Sequence, residues 1–284
     1  MKHDRRNANW HRWLLAGLVL SGILYLENNT IDVHEYTVCK QALPAAFDGF
    51  RILQVSDLHG KRFGNDHEWL LKAAAEARPD IIAITGDLAD EQTDLSILPS
   101  LLRGLRNIAP MYFVTGNHEW SLTKTERQTL LSMLEQADVK WLNNEHLTLE
   151  QDGGQIVLAG VDDPFGPADQ KTPTQVVEEI RAECGEDAYV LMLSHRNDEL
   201  DLWAKLGVQT VLCGHAHGGV VRLPGVGGVF GTSHEFFPEY DAGVYERNET
   251  SVVISRGLGG NKLLPVRICN KPELVTVILE RENR

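Results

Sequence analysis

Five short segments of this sequence carry side chains that can hold metal ions. Residues 57–59 are Asp-Leu-His, residues 86–87 are Gly-Asp and residues 116–119 are Gly-Asn-His-Glu. Mixed imidazole, amide and carboxylate groups suit Mn, Fe or Zn better than Ca or Mg. A pair of such ions can activate water for hydrolysis. The other two segments are Ser-His at 194–195 and Gly-His-Ala-His at 214–217, and the Asp, Asn and His side chains of all five are candidate ligands.

Each segment alone has an ordinary explanation. Gly-Asp and Gly-Asn are common in turns, and a single loop histidine is more often hydrogen-bonded than bound to a metal. The most specific fragment is the His-x-His of residues 215–217. All five segments, however, directly follow apolar runs, in one order along the chain. Their joint occurrence therefore predicts a metal site.

The apolar runs before these segments are typical of buried strands. They occupy residues 51–55, 81–85, 111–115, 189–194 and 209–213. In open α/β sheets, ligands bind beyond the carboxyl ends of the strands, so the five loops are predicted to converge on one crevice. Helices are predicted at 67–78, 95–105 and 125–137, and a further strand at 155–160.

Beyond residue 218 helical patterns fade, and short β runs appear at 252–255, 266–269 and 274–280. Alternating strands and helices followed by strands predict an α/β fold, a four-layer α/β/β/α sandwich of two mixed sheets flanked by helices. No boundary is evident after residue 50. The predicted division is an N-terminal segment (1–30), a linker with a first strand (31–49) and a catalytic domain (50–284).

The composition argues against some classes of binding partner. The chain has 284 residues, 43% of them apolar, and a net charge of −13. Such acidity argues against duplex nucleic acid, which requires a basic surface, but metal ions would still allow a phosphorylated substrate. The four cysteines form no CxxC pair, so a cysteine-based zinc site is not predicted. Cys213 lies in an apolar run and is expected to be a buried small side chain.

The N-terminal segment differs from the rest. Lys2, Arg5, Arg6 and Arg12 precede an uncharged stretch at 13–26. Fourteen helical residues span roughly 21 Å, which is short of the roughly 30 Å hydrocarbon core of a bilayer. A short membrane anchor, a cleaved signal peptide and a helix buried in the domain all remain open. The clustered basic residues and the flanking aromatics favour the anchor.

Flanking charges predict the orientation. Glu27, Asp32 and Glu35 follow the apolar stretch, whereas basic residues precede it. The positive-inside rule then places the catalytic domain outside the cytoplasm. The alternative is the cytoplasmic face of the membrane, with the apolar stretch as an interfacial helix.

The ordered motifs DxH, GD, GNHE, a later His and GHxH resemble those of the calcineurin-like metallophosphoesterase superfamily. The tail at 255–279 resembles the membrane-anchored bacterial phosphodiesterase branch, some of whose members are UDP-2,3-diacylglucosamine hydrolases. The resemblance implies two divalent metal ions, a bridging carboxylate from Asp87, and attack by a metal-bridging hydroxide. His118 would be a catalytic group that stabilises the transition state or protonates the leaving oxygen. One ion would be held by Asp57, His59, Asp87 and His217, and the other by Asp87, Asn117, His195 and His215.

One difference from the superfamily motifs limits the class of substrate that is expected. Phosphoprotein phosphatases of this superfamily carry GDxVDRG and RGNHE, and neither arginine is present at 86–91 or 114–119 here. Arg196 could contact a phosphate or simply lie on the surface. The resemblance and the anchor favour a phosphodiester or pyrophosphate in a lipid-linked or nucleotide-linked substrate, such as UDP-2,3-diacylglucosamine. That substrate is cytoplasmic, which conflicts with an outward orientation.

Two alternatives remain open, a phosphomonoesterase of the same superfamily and a non-catalytic metal-binding scaffold. Scaffolds of this kind usually lose ligands, whereas every ligand position is filled here. No protein partner is predicted.

Overall fold

Two six-stranded mixed sheets form the centre of the fold, in a computed structural model that describes residues 7–219, 221–232, 235–260 and 266–282. Four neighbouring strands of the first sheet are parallel, and its last strand in the chain runs antiparallel to one of them. In spatial order the strands are β1 (Asp32–Lys40), β14 (Glu273–Arg281), β2 (Phe50–Val55), β3 (Ile81–Thr85), β4 (Met111–Val114) and β5 (Val139–Trp141).

The second sheet repeats this plan, with four parallel strands in the middle and an antiparallel strand at each edge. Its order is β12 (Gly243–Arg247), β13 (Thr250–Ile254), β9 (Thr210–Cys213), β8 (Val190–Leu193), β7 (Gly154–Gly160) and β6 (His146–Gln151). A separate antiparallel hairpin consists of β10 (Val221–Leu223) and β11 (Gly227–Phe230).

Helices cover both sheets. They are α1 (Asn7–Asn29), α2 (Glu68–Glu76), α3 (Leu98–Arg106), α4 (Asn117–Ser121), α5 (Lys124–Gln136), α6 (Pro173–Cys184) and α7 (Leu200–Leu206). One apolar cluster joins α2, α3 and α5 to the first sheet, and another joins α6 and α7 to the second. A third cluster contains Ile52 and Val277 of the first sheet with Leu158 and Leu191 of the second. The prediction of two mixed sheets flanked by helices is therefore confirmed.

The parallel strands are buried on both faces, which explains their continuous apolar sequences. All five residues of β3 are buried, and this strand matches the predicted residues 81–85. Cys213 is fully buried as expected, and none of the four cysteines forms a disulfide.

The strand predicted at 266–269 is wrong. This segment is a loop in which Val266 and Ile268 are 39% and 41% exposed while Arg267 is only 3% exposed. The Arg267 guanidinium donates hydrogen bonds to the carbonyls of Gly259 and Arg256, at 2.6 and 2.8 Å. A buried cation with several backbone acceptors thus replaces the expected apolar strand face. Residues 261–265 of the same tail lie outside the described residues.

Helix α1 is longer than the apolar stretch that predicted it. Its apolar side chains project from the domain, and Trp13 and Leu18 are 77% and 71% exposed, so a helix buried in the domain does not fit. Among the described residues, no helix combines the length and apolarity needed to cross a bilayer. Membrane association stays a prediction. The basic residues Lys2, Arg5 and Arg6 lie outside the described residues.

Candidate metal centre

All the predicted site residues follow the carboxyl ends of strands. Asp57 with His59 and Asp87 lie in the loops after β2 and β3, and Asn117 with His118 lie in the first turn of α4, which follows β4. The loops after β8 and β9 carry His195, and His215 with His217. Among the described residues, three groups have ligand atoms close enough to share a metal ion. These groups are Asp57, His59 and His217; His59, Asp87 and His118; and Asp87, His195 and His215.

One half of the site forms around His59. Its Nε2 atom lies 3.2 Å from Nε2 of His217 and 3.8 Å from Oδ2 of Asp87. His217 in turn places Nε2 at 3.4 Å from Oδ1 of Asp57. The other ring nitrogen of His59 faces Oδ2 of Asp90 at 3.3 Å. A carboxylate behind a histidine fixes its ring and tautomer, as in the outer shell of many metal sites.

The other half forms around His195, which is fully buried. Its Nδ1 donates to the carbonyl of Thr85 at 2.8 Å, which directs Nε2 toward Oδ2 of Asp87 at 3.2 Å. Nδ1 of His215 lies 3.2 Å from the same Nε2. Oδ2 of Asp87 therefore faces imidazoles of both halves, the position that a bridging ligand needs.

Five of the candidate ligands have a strained backbone. Asp57, His59, Asp87, His215 and His217 all have φ between 47° and 67°, in the left-handed region that non-glycine residues seldom adopt. Each such conformation costs free energy and persists where the surrounding structure imposes it, often at functional sites. The fold therefore holds these five residues in a conformation that the sequence does not display.

Two glycines allow the loops to approach one another. A Cβ atom at Gly116 would lie 2.2 Å from Oδ1 of Asp87, and one at Gly214 would lie 2.4 Å from Oδ2 of Asp57. Both distances are far inside van der Waals contact. Glycine is thus required at these positions because neighbouring loops meet there, and turn geometry alone does not explain it.

The donor set fits metal ions in one further respect. Oδ1 of Asn117 is buried and has no hydrogen-bond partner among the described residues, and the same holds for Nδ1 of His217. Asn117 lies between Gly116 and His118, which both approach Asp87. A buried amide oxygen without a partner costs free energy, and a cation coordinated there would remove that cost.

Protonation differs among the imidazoles. Burial, with nearby positive charge from His195 and Arg196, lowers the pKa of His215 to about 2. Burial and His59 likewise hold the pKa of His217 well below its usual range. Burial opposes charging of His195 too, but the Asp87 and Asp57 carboxylates outweigh it and raise its pKa to about 10. Burial thus favours the neutral, metal-binding form of His215 and His217, whereas the carboxylates near His195 favour its protonated form.

His118 lies at the edge of the site. Its ring packs edge-on against His59 with centroids 4.9 Å apart, and its Nδ1 lies 3.3 Å from Oε2 of Glu91. Its side chain is 16% exposed, whereas those of Asp57 and His195 are fully buried. This position leaves His118 accessible to a substrate.

Glu119 connects two of the loops, a role that the motif alone did not suggest. Its carboxylate accepts hydrogen bonds from the backbone N–H groups of Asp87, Leu88 and Gly116, at 2.9, 2.8 and 2.7 Å. Burial and the neighbouring Asp87 carboxylate raise the pKa of Glu119 to about 7. The bonds fix Asp87 relative to Asn117. A glutamate directly after Gly-Asn-His was the available sequence signal.

Arg196 is held against the site rather than free on the surface. Its guanidinium forms a bidentate pair with the buried carboxylate of Asp163, at 2.6 and 3.1 Å, and stacks on Phe165 with its Cζ 5.0 Å from the ring centroid. Its third nitrogen, Nη1, lies 2.9 Å from Nε2 of His215. Asp163 was missed by sequence analysis, although it follows β7 as the candidate ligands follow their strands.

Comparisons with known proteins agree with this geometry. Residues 50–219 match the family model described as calcineurin-like phosphoesterase. The chain is 29% identical to the metallophosphoesterase YkuE of Bacillus subtilis, over 95% of this chain and 94% of the relative. It is 27% identical to the phosphodiesterase YaeI of Escherichia coli, over 81% of this chain and 82% of the relative.

Solved structures also resemble the chain. TT1561 of Thermus thermophilus matches with a TM-score of 0.48 and 16% identity, covering 74% of this chain and 90% of that structure.

Proposed function

Given that this chain belongs to the calcineurin-like phosphoesterase family, and so is a metal-dependent hydrolase of phosphoric esters, we propose that it cleaves a phosphodiester with two metal ions. The position of Asp87 carries the proposal. Its Oδ2 faces Nε2 of His195 at 3.2 Å and Nε2 of His59 at 3.8 Å, so one carboxylate reaches both halves of the ligand set. Mn, Fe or Zn held there would polarise the phosphoryl oxygens and activate water.

The residues beside the ligands have distinct tasks. We assign to His118 the donation of a proton to the leaving oxygen, because its side chain is accessible and its Nδ1 pairs with Glu91. We assign to Arg196 the binding of a phosphoryl oxygen. If Nδ1 of His215 binds a metal, its Nε2 carries the proton and can no longer accept from Nη1 of Arg196, which leaves that N–H for the substrate.

A diester fits better than a monoester. Phosphodiesters carry one negative charge, and a single guanidinium, that of Arg196, contacts a candidate ligand in the described part of the chain. The relative YaeI is named a phosphodiesterase, which supports the same choice. For the substrate we propose a lipid-linked or nucleotide-linked diester. The pyrophosphate UDP-2,3-diacylglucosamine would instead require the domain to lie on the cytoplasmic face and the site to accept a second phosphate.

The test compares two substrates with the Mn²⁺-loaded protein. We expect faster hydrolysis of bis-p-nitrophenyl phosphate than of p-nitrophenyl phosphate. A faster monoester rate would identify a phosphomonoesterase. Hydrolysis of neither substrate, with both metal equivalents bound, would identify a non-catalytic scaffold.

We also propose that α1 associates with a membrane and that the catalytic domain lies outside the cytoplasm. Exposed apolar side chains such as Trp13 and Leu18 support the association, and the flanking charges support the orientation. Flotation with vesicles should carry the full chain, whereas Leu18→Asp should reduce it. An alkaline phosphatase fusion after residue 30 should be active, since that reporter folds only in an oxidising compartment. An inactive fusion would place the domain on the cytoplasmic face.

A further inference from the structure

A cavity of about 820 Å³ opens beside the metal-binding residues. One wall is the loop after β2, with the candidate ligand His59 followed by Gly60 and Lys61. Another part of the lining comes from α1. This volume lies in the range that holds a drug-sized ligand and far exceeds what a phosphate group alone needs. The cavity therefore has room for a large part of a substrate next to the reacting centre.

The wall contributed by α1 is one helical face. Ser21, Leu24, Tyr25 and Asn28 are spaced by three, four and seven residues, which places them on the same side of a helix. Leu24 is half-buried, whereas the neighbouring Ile23 is 54% exposed and lies outside the cavity lining. The face toward the cavity thus offers apolar contact from Leu24 and from the ring of Tyr25.

The end of α1 is fixed to the domain. The side-chain amide of Asn28 accepts from the backbone N–H of Arg267 at 2.7 Å and donates to its carbonyl at 3.0 Å. Lys61 Nζ also donates to the carbonyl of Asn28. Arg267 is itself buried and hydrogen-bonded, so these contacts hold α1 at a defined distance from His59. The end of α1 is therefore a fixed part of the cavity wall.

Charge limits what the cavity can accept. Asp90 and Asp94 contribute two carboxylates to its lining, against one ammonium group, that of Lys61, which also donates a hydrogen bond to the Asn28 carbonyl of α1. A second phosphate on the substrate would meet these carboxylates and be repelled. An uncharged chain avoids this repulsion and gains free energy from contact with Leu24.

We propose that this cavity is a subsite for an apolar chain. The substrate is then a phosphodiester with its phosphate at His59, one long alkyl or acyl-bearing ester group along Leu24 and Tyr25, and no second phosphate. This inference rests on the proposed phosphodiesterase activity and narrows its substrate class.

The test uses p-nitrophenyl alkyl phosphates with ethyl, butyl, hexyl and octyl chains, each below its critical micelle concentration. Full-length Mn²⁺-loaded protein should show kcat/KM rising up to roughly fourfold per buried methylene. In Leu24→Ser, the octyl-to-ethyl ratio of kcat/KM should fall roughly tenfold. The matched control Ile23→Ser removes the same kind of side chain one position away, and it should keep the ratio of the parent protein.

The outcomes separate the two levels of the proposal. Hydrolysis of no diester at all overturns the phosphodiesterase activity and the subsite with it. Hydrolysis that does not depend on chain length overturns the subsite alone. If Leu24→Ser leaves the dependence on chain length intact, the subsite is also overturned, because the alkyl chain must then bind elsewhere. The same holds if Ile23→Ser abolishes the dependence equally, because the effect would then come from the overall apolarity of α1.

Discussion

The two sheets contribute different chemistry to the site. The loops of the first sheet supply every oxygen of the candidate ligand set, from Asp57, Asp87 and Asn117. The loops of the second sheet supply only imidazoles, from His195 and the 215–217 segment. Negative charge thus comes from one sheet and most of the nitrogen ligands from the other, and two of the three candidate groups combine residues from both.

Direct bonds beneath the site align the two sheets. The buried side chain of Gln54 on β2 donates to the Cys213 carbonyl on β9 at 2.7 Å and to Oγ1 of Thr85 on β3 at 3.0 Å. The backbone N–H of His215 donates to the carboxylate of Asp57 at 3.1 Å. Neither sheet holds a complete set of ligands. The geometry of the ligands therefore depends on how the two sheets pack. Four substitutions test this division.

The largest effect is expected at the carboxylate that serves both halves. Asp87→Asn should lower kcat by about 10³ or more and release more than one metal equivalent, because a bridging ligand holds both ions. Asn tolerates the φ of +54° at this position. Asp138→Asn is the control, since Asp138 has the same φ of +54° and an exposed side chain. Full metal occupancy in Asp87→Asn, measured by elemental analysis, would refute the bridging role.

His118→Ala tests whether the first sheet also supplies the proton donor. The expected result is a kcat lower by roughly 10²–10⁴ with unchanged metal content. His146→Ala is a close control, because His146 also pairs with a glutamate at 3.3 Å and its side chain is 13% exposed. If metal content falls together with kcat, His118 is a ligand, as its grouping with His59 and Asp87 would allow.

Arg196→Lys tests whether the guanidinium that follows the second sheet binds the substrate. Lysine cannot reproduce the bidentate pair with Asp163, so kcat/KM should fall roughly 10- to 100-fold, mainly through KM, with metals retained. Arg51→Lys is the control, since Arg51 also forms an ion pair, is 24% exposed, and lies at the amino end of β2. A loss of metal without a change in KM would show that Arg196 acts only through His215.

Gln54→Met should have the smallest effect and concerns the contact between the sheets. It keeps the side-chain volume but removes both hydrogen bonds, so the free energy of unfolding should fall by about 1 kcal/mol. Denaturant titration measures this change, with the exposed Gln155→Met as reference. An unchanged midpoint would mean that apolar packing between the sheets is sufficient to align them.

Much of the site was predictable because its signals are local. Each ligand follows a strand whose apolar sequence identifies it, as for residues 81–85 before Asp87. Glu119 and Asp163 were not assigned roles, because their partners lie 31 to 33 residues away in sequence. The error at 266–269 has a related cause. Alternation suggested a strand, but Arg267 finds carbonyl acceptors that only the folded chain brings to it.

The sequence by itself determined the ligand types, their order and the strands that carry them, since residue chemistry and apolar periodicity are properties of short segments. Only the tertiary structure decided that Asp87 faces both halves, that Arg196 reaches His215, and that α1 closes one side of the cavity. The last depends on the pairing of Asn28 with Arg267, which are 239 residues apart in the chain. Contacts at such separation form only when sheets and helices pack, so no local pattern encodes them.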